Sequence, residues 1–317
     1  MRQRNGWDTA LDAQVDLMAS FATIDGRAYL AGVIDRLAEA GMIDTRTGLQ
    51  AVSDIEADRS EFASRLVGAC TSQLQTCDPF YVNEELTQLI GFAATHKSFK
   101  PEPLIPSDLI VPNGFAYFDA PLMLLSARGT ELPFRALEWC RGREHDPQGD
   151  SWCLIALYQD HRDPNPNLDG AEEIGGSHLR LAYTTVLRFG QDTAAYRGDT
   201  TVFDMFAHIK VFFRMCQQTI AVPRFERVSR PVWKRAVKRW KPIKEVVVFT
   251  LRRAKPPRYE GPEREVHWSH RWFVGAHWRN QYYPSEKVHR QIWVAPYLKG
   301  PDDKPIIYKR RAFELVR

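Results

Sequence analysis

Four histidines, His267, His270, His277 and His289, stand within 23 residues of one another in a stretch rich in Trp, Tyr and Arg. A metal-independent ribonuclease needs a base for the 2′-OH proton, an acid for the leaving oxygen and cations around the phosphate. Histidine, arginine, lysine and tyrosine supply all three. His277, Arg279, Tyr283, His289 and Arg290 have that chemistry, with His277 and His289 as the candidate catalytic residues. The same side chains serve a protein that holds a polyanion and leaves it unchanged, or they hydrogen-bond within an aromatic-rich sheet. A metal site is not expected. His267 and His270 are an odd number apart, so a strand sends them to opposite faces, and no cysteine lies near.

Charge favours the polyanion. From Pro223 to Arg317 there are 24 Lys and Arg against 9 Asp and Glu, a net of +15, whereas residues 1–222 carry 19 against 30, a net of −11. Six of the nine tryptophans also lie after residue 222. Such a split within one chain points to nucleic acid as the partner of the basic part. Residues 230–241, RPVWKRAVKRWK, hold six basic residues. On a helix Val232 and Ala236 share a face with Arg239–Trp240, while Lys234, Arg235 and Lys238 project together. Each Lys or Arg that neutralises a phosphate releases counterions and adds salt-sensitive affinity. The expected nucleic-acid contacts are Lys234, Arg235, Lys238, Arg239, Arg271, His277, Arg279, Gln281, Tyr283, His289 and Arg290.

Three regions must position these residues. Residues 10–98 read as helical: Leu30, Val33, Ile34 and Leu37 make one stripe, and Val52, Ile55, Phe62 and Leu66 another. Prolines 101, 103 and 106 break the pattern and mark a change of architecture. Strands follow. Leu109–Phe118 reads as two extended runs around a Pro112-Asn113-Gly114 turn, Ser151–Tyr158 as a central strand, and His178–Phe189 as a strand with one wet face. Thr200–Ile220 is a helix whose Val202, Phe206, Ile209, Phe213, Cys216 and Ile220 form a heptad-like seam. That seam suits a core helix, and self-association through 200–221 is the other reading. Glu245–Leu251 is a β-branched strand. Beyond it 266–274 and 277–283 alternate, with His277, Arg279 and Gln281 on one face; Arg290–Val294, Ile306–Tyr308 and Ala312–Val316 complete a small sheet around a Pro/Gly-rich turn at 296–305.

The expected class is therefore α+β: a helical domain over 1–100, a central α+β domain over 101–222 and a basic, antiparallel β-rich module over 223–317. No cofactor is expected. The five cysteines, Cys70, Cys77, Cys140, Cys153 and Cys216, form no CxxC pair and read as buried reduced thiols, the usual state in a cytoplasmic protein. No apolar run approaches a membrane span, and the N-terminus lacks a signal-peptide core. Residues 163–174 space acidic and amide groups like a calcium loop, but Leu168 stands where the turn needs glycine and Ile174 where it needs glutamate.

The segments RWFVGAHWRNQYYPS and HRQIWVAPYLKGPDDKP resemble the C-terminal signature of a family of uncharacterised proteins of actinobacteria, their phages and their plasmids. The likeness spans 266–317, and 104–122 is more loosely similar to an upstream element of the same proteins. It carries no reaction. What it implies is a cytosolic bacterial or phage setting, tied to mobile elements, toxin–antitoxin modules or phage–host conflict. Two functions are thus expected to compete: nucleic-acid binding through the basic module, and a toxin-type enzyme, either a ribonuclease or an ADP-ribosyltransferase-like transferase that assembles Arg or His, Ser or Tyr, and Glu from separate strands. No phosphate-binding glycine loop is present to favour the transferase. A protein partner of the antitoxin kind, or cover by the acidic half of the chain, is the third reading.

Overall fold

The computed structural model describes residues 6–20, 74–100, 102–125, 131–142, 152–163, 172–173, 177–190, 200–239, 243–252, 269–301 and 304–306. They have α+β architecture and divide into two units, residues 1–95 with 101–252, and residues 96–100 with 253–317.

The first unit is built on one mixed sheet. Its strands are β1 (Asp78–Val82), β2 (Asn113–Leu125), β3 (Glu131–Arg141), β4 (Trp152–Asp160), β5 (Glu172–Glu173), β6 (Leu179–Arg188), β7 (Ala221–Arg227) and β8 (Glu245–Leu251). They lie in the order β5-β6-β4-β3-β2-β1-β8-β7. Only β1 makes parallel pairs, with β2 on one side and β8 on the other. Parallel neighbours need a crossover, and helix α2 (Glu84–Ala94) supplies it between β1 and β2. Asn83 starts that helix by accepting the Leu86 N–H on its side chain at 3.2 Å.

Each face of the sheet has its own apolar layer. Helices α1 (Gly6–Ser20) and α4 (Arg230–Arg239) bring Leu11, Val15, Val232 and Ala236 onto Phe115, Tyr117, Ala156, Tyr158 and Val248. Helix α3 (Thr200–Cys216) covers the opposite face, where Phe212 meets Phe118 and Trp139, and Phe213 meets Trp139 at 5.2 Å. Phe206, Ile209, Phe213 and Cys216 of the seam are buried, and so are Val211, Phe212 and Met215 around it.

Several expectations change. The stretch 10–98 is not helical throughout: β1 lies inside it, a five-residue strand whose partners come from 114–118 and 247–249. The stripes at 30–37 and 52–66 lie outside the described residues. The turn expected at 112–114 is instead the start of β2. Gly114 is needed there because any Cβ would overlap the Trp139 ring of the neighbouring strand. A boundary at 223 falls inside the sheet, since β7 pairs with β8 along its whole length, Ala221 with Leu251 through Arg227 with Glu245. The basic segments at 224–227 and 230–239 thus belong to the first unit.

The second unit holds two small antiparallel ribbons. Strands β10 (His277–Tyr283) and β11 (Val288–Val294) form a hairpin, and β9 (Trp272–Val274) pairs with β12 (Tyr297–Lys299). Part of the turn expected at 296–305 is therefore strand β12. The strand expected over 266–274 is described only from 269 and pairs from Trp272. Of the closing strands, Ile306 makes a single bridge to Arg271, and 307–317 lie outside the described residues.

Candidate functional site

The β10–β11 register decides which candidate residues meet. Opposed residues share a face, so Trp278/Trp293, Asn280/Gln291 and Tyr282/His289 lie on one side, and His277/Val294, Arg279/Ile292, Gln281/Arg290 and Tyr283/Val288 on the other. The first face is packed at Trp278, Trp293 and Gln291, while Asn280, Tyr282 and His289 on it are exposed. Trp278 and Trp293 are buried with ring centres 5.4 Å apart, Phe99 meets Trp278 at 5.3 Å and His96 meets Trp293 edge-on at 5.4 Å. Polar bonds fasten the same segment. The Trp278 N–H donates to Ser98 Oγ at 2.9 Å, and the Gln291 amide accepts the Lys100 N–H at 3.1 Å and donates to the Lys100 carbonyl at 2.8 Å. Nothing local in 96–100 signals that role. Its partners lie some 180 to 190 residues away in sequence.

The opposite face carries Arg279 and Arg290, both exposed, with Gln281 and Tyr283 half-buried between and beside them. Arg279 and Arg290 are diagonal neighbours, roughly 7–8 Å apart along the ladder, within reach of long side chains. The Arg290 guanidinium lies 5.8 Å from the Tyr283 ring centre and pairs with Glu286 at 2.5 Å. Across 269–301 there are five Lys and Arg against one acidic residue, Glu286, so the ribbon pair keeps a strong positive balance.

Other candidates are spread apart. His289 lies on the packed face against Tyr282, ring centres 4.8 Å apart. His277, its Nδ1 2.9 Å from the Gly275 carbonyl, lies on the other face beside Val294, five residues from His289 along β11, or roughly 17 Å. The fold does not bring these two histidines together as an acid–base pair. Arg271 is spent on the chain itself, its Nε donating to the Lys304 carbonyl at 3.0 Å. In the first unit Lys234 and Lys238 are exposed on α4, but Arg235 reaches back to α1 and pairs with Asp16 at 2.5 Å and Asp12 at 3.3 Å. The Arg239 side chain lies outside the described residues.

Two polar clusters in the first unit escaped sequence reading because their members come from separate strands. In one, Arg162 grips Asp160 at 2.6 Å, the Tyr117 hydroxyl donates to Asp160 at 3.4 Å, and His178 Nε2 stands 3.8 Å from the same carboxylate. Beside it Arg135 pairs with Asp163 at 2.6 Å and donates to the carbonyls of Phe118 and Asp119. Those carbonyls fall where the β2–β3 register shifts between Tyr117 and Leu122, and the guanidinium replaces the ladder bonds lost there. In the other cluster, Cys77, Glu138 and Cys140 are buried with ligand atoms within 4.8 Å of one another.

The Asp160 cluster moves the titration of its groups away from their ordinary values. Burial, then Asp160, pushes the Tyr117 hydroxyl up to about 12. Burial would raise the Asp160 carboxyl, but side-chain and backbone hydrogen bonds from Arg162 hold it below its usual value. Burial and then Arg162 lower His178, outweighing the attraction of Asp160. A histidine whose folded value is lowered binds more protons unfolded, so stability present above pH ~6.5 is lost as pH falls toward the lowered value. Replacement by glutamine is therefore expected to flatten the wild-type fall in urea midpoint between pH 7.5 and 5. An unchanged slope would show that another group titrates.

No family model matches the chain, and no curated protein or solved structure matches it.

Proposed function

We propose that the protein binds nucleic acid through its C-terminal unit, with the Arg279–Arg290 face of the β10–β11 hairpin as the contact. The observation that carries this reading is the division of labour between the two faces. Tryptophans and a glutamine secure one side internally, leaving two arginines, Gln281 and the Tyr283 ring on the other. Guanidinium groups neutralise phosphates, and an adjacent phenol ring offers a surface on which a base stacks. The exposed Lys234 and Lys238 of α4 form a separate basic patch on the first unit. Binding is favoured over cleavage because His277 and His289 point to opposite sides of the hairpin.

Titration of labelled RNA and DNA with the full chain across a salt series tests this. Affinity is expected to fall steeply with salt, and Arg279→Ala and Arg290→Ala each to lower the log–log slope by about one. His289→Ala, on the packed face, should leave the slope unchanged, and the recovered nucleic acid should be intact. Absent or salt-indifferent binding removes the reading. Cut product transfers support to a toxin-type ribonuclease.

A further inference from the structure

Two segments distant in sequence deliver three metal-ligating atoms to one buried point. Glu138 and Cys140 are two residues apart on β3 and so share its α1-covered face, while Cys77 immediately precedes β1. The three are 1–6% exposed. The geometry points to a structural zinc site formed by Cys77, Glu138 and Cys140.

The sulfur separation is the sharpest observation. Cys77 Sγ and Cys140 Sγ are 3.9 Å apart. Two thiolates on a tetrahedral zinc with bonds of about 2.3 Å stand about 3.8 Å from each other. A disulfide does not fit. Cys140 pairs with Asn113 of β2, and Asp78, the residue after Cys77, pairs with Gly114 of the same strand from its other side. One strand therefore intervenes, placing the two cysteine backbones roughly 9–10 Å apart. A disulfide spans Cα separations of only about 4.4–6.8 Å.

The surroundings fit a bound cation. The Tyr158 hydroxyl donates to Glu138 Oε2 at 2.6 Å, the type of outer hydrogen bond that orients a ligating carboxylate. Gln14 of α1 donates from Nε2 to the carbonyls of Leu74 at 2.9 Å and Cys77 at 3.1 Å. Its Oε1 is fully buried and has no hydrogen-bond partner among the described residues. It is thus an unpartnered buried polar atom on a side chain that already bonds the Cys77 backbone. Two thiolates and a carboxylate make zinc the fitting metal rather than magnesium or calcium. Such a site would clamp the entry to β1 to the end of β3.

The test is the metal content of the full-length wild-type chain, purified without chelator from zinc-supplemented cells. About one zinc per chain is expected, together with a sulfur-to-cobalt charge-transfer band when cobalt replaces it and a lower melting temperature after chelation. Cys77→Ser and Cys140→Ser should each at least halve the band, and the double substitution should abolish it. Tyr158→Phe, which keeps all the ligands, should weaken zinc binding 10- to 100-fold while the band persists. Folded wild-type protein with no zinc above the buffer background and no cobalt band overturns the proposal, as does recovery of a Cys77–Cys140 disulfide. The wild-type readouts stand even if a cysteine variant fails to fold.

Discussion

Asp108→Ala is expected to destabilise the protein by about 3–5 kcal/mol, read as a fall in urea midpoint. Lys210 sits in the middle of α3 with its side chain 1% exposed, and its ammonium bonds the Asp108 carboxylate and the Pro103 carbonyl. The carboxylate also accepts the Ile105 N–H at 2.8 Å, which ties down the turn at Pro106–Asp108. Removing it leaves a buried cation with one neutral acceptor. Burial already lowers the lysine below its ordinary value, against the pull of Asp108, so the variant lowers it further. A lowered lysine binds more protons unfolded, and stability rises with pH up to the unfolded value near 10.4. The variant should therefore recover part of its loss between pH 7 and 10, more steeply than the wild type. Pairing Asp108→Asn with Lys210→Met should restore most of the stability, since the Ile105 N–H keeps an acceptor and no unpaired charge remains. If the single variant matches the wild type at pH 7, the ion pair is not what holds this helix.

The Lys210 pair also shows what the sequence concealed. The heptad-like seam was visible from periodicity, and its members Phe206, Ile209, Phe213 and Cys216 are buried, although the helix ends at Cys216 and Ile220 lies in the turn beyond it. A lysine inside that run looks solvated until the segment around 103–108, a hundred residues earlier, folds over it. The strands at 152–160 and 179–188 were readable because long apolar or alternating runs announce themselves locally. β1 was not, because five residues between helical stretches carry too little pattern. Its identity as a strand comes from β2 and β8. Charge misplaced the boundary at 223, since net charge tracks surface chemistry while sheet pairing tracks apolar alternation. Val246, Val248 and Phe249 are buried within the main sheet even though Arg227, Arg230 and Lys234 lie close by in sequence. On the hairpin, the period of two placed His277, Arg279 and Gln281 together. Only the β11 register could add Arg290 and exclude His289.

Replacing Trp278 with alanine is expected to cost the second unit about 3–5 kcal/mol, the range for emptying a buried tryptophan site. The indole contacts Trp293 and Phe99, and these rings with His96 are the apolar filling between the hairpin and 96–100. Among the described residues of this unit, only Trp293 and Gln291 are buried besides Trp278, so few groups share the loss. Hydrogen exchange locates the effect: β10 and β11 amides should lose protection, while those of β3 and β4, in a different core, should keep it. Tyr282→Ala is the control on the same face. Tyr282 is 44% exposed, and its removal should change stability by under about 0.5 kcal/mol. The proposed binding face depends on this packing, because Arg279 and Arg290 are neighbours only while β10 and β11 stay paired. Trp278→Ala should therefore abolish salt-sensitive nucleic-acid binding without touching a residue of that face. Binding that survives while β10 and β11 lose protection would place the contact elsewhere, with the exposed lysines of α4 the next surface to mutate.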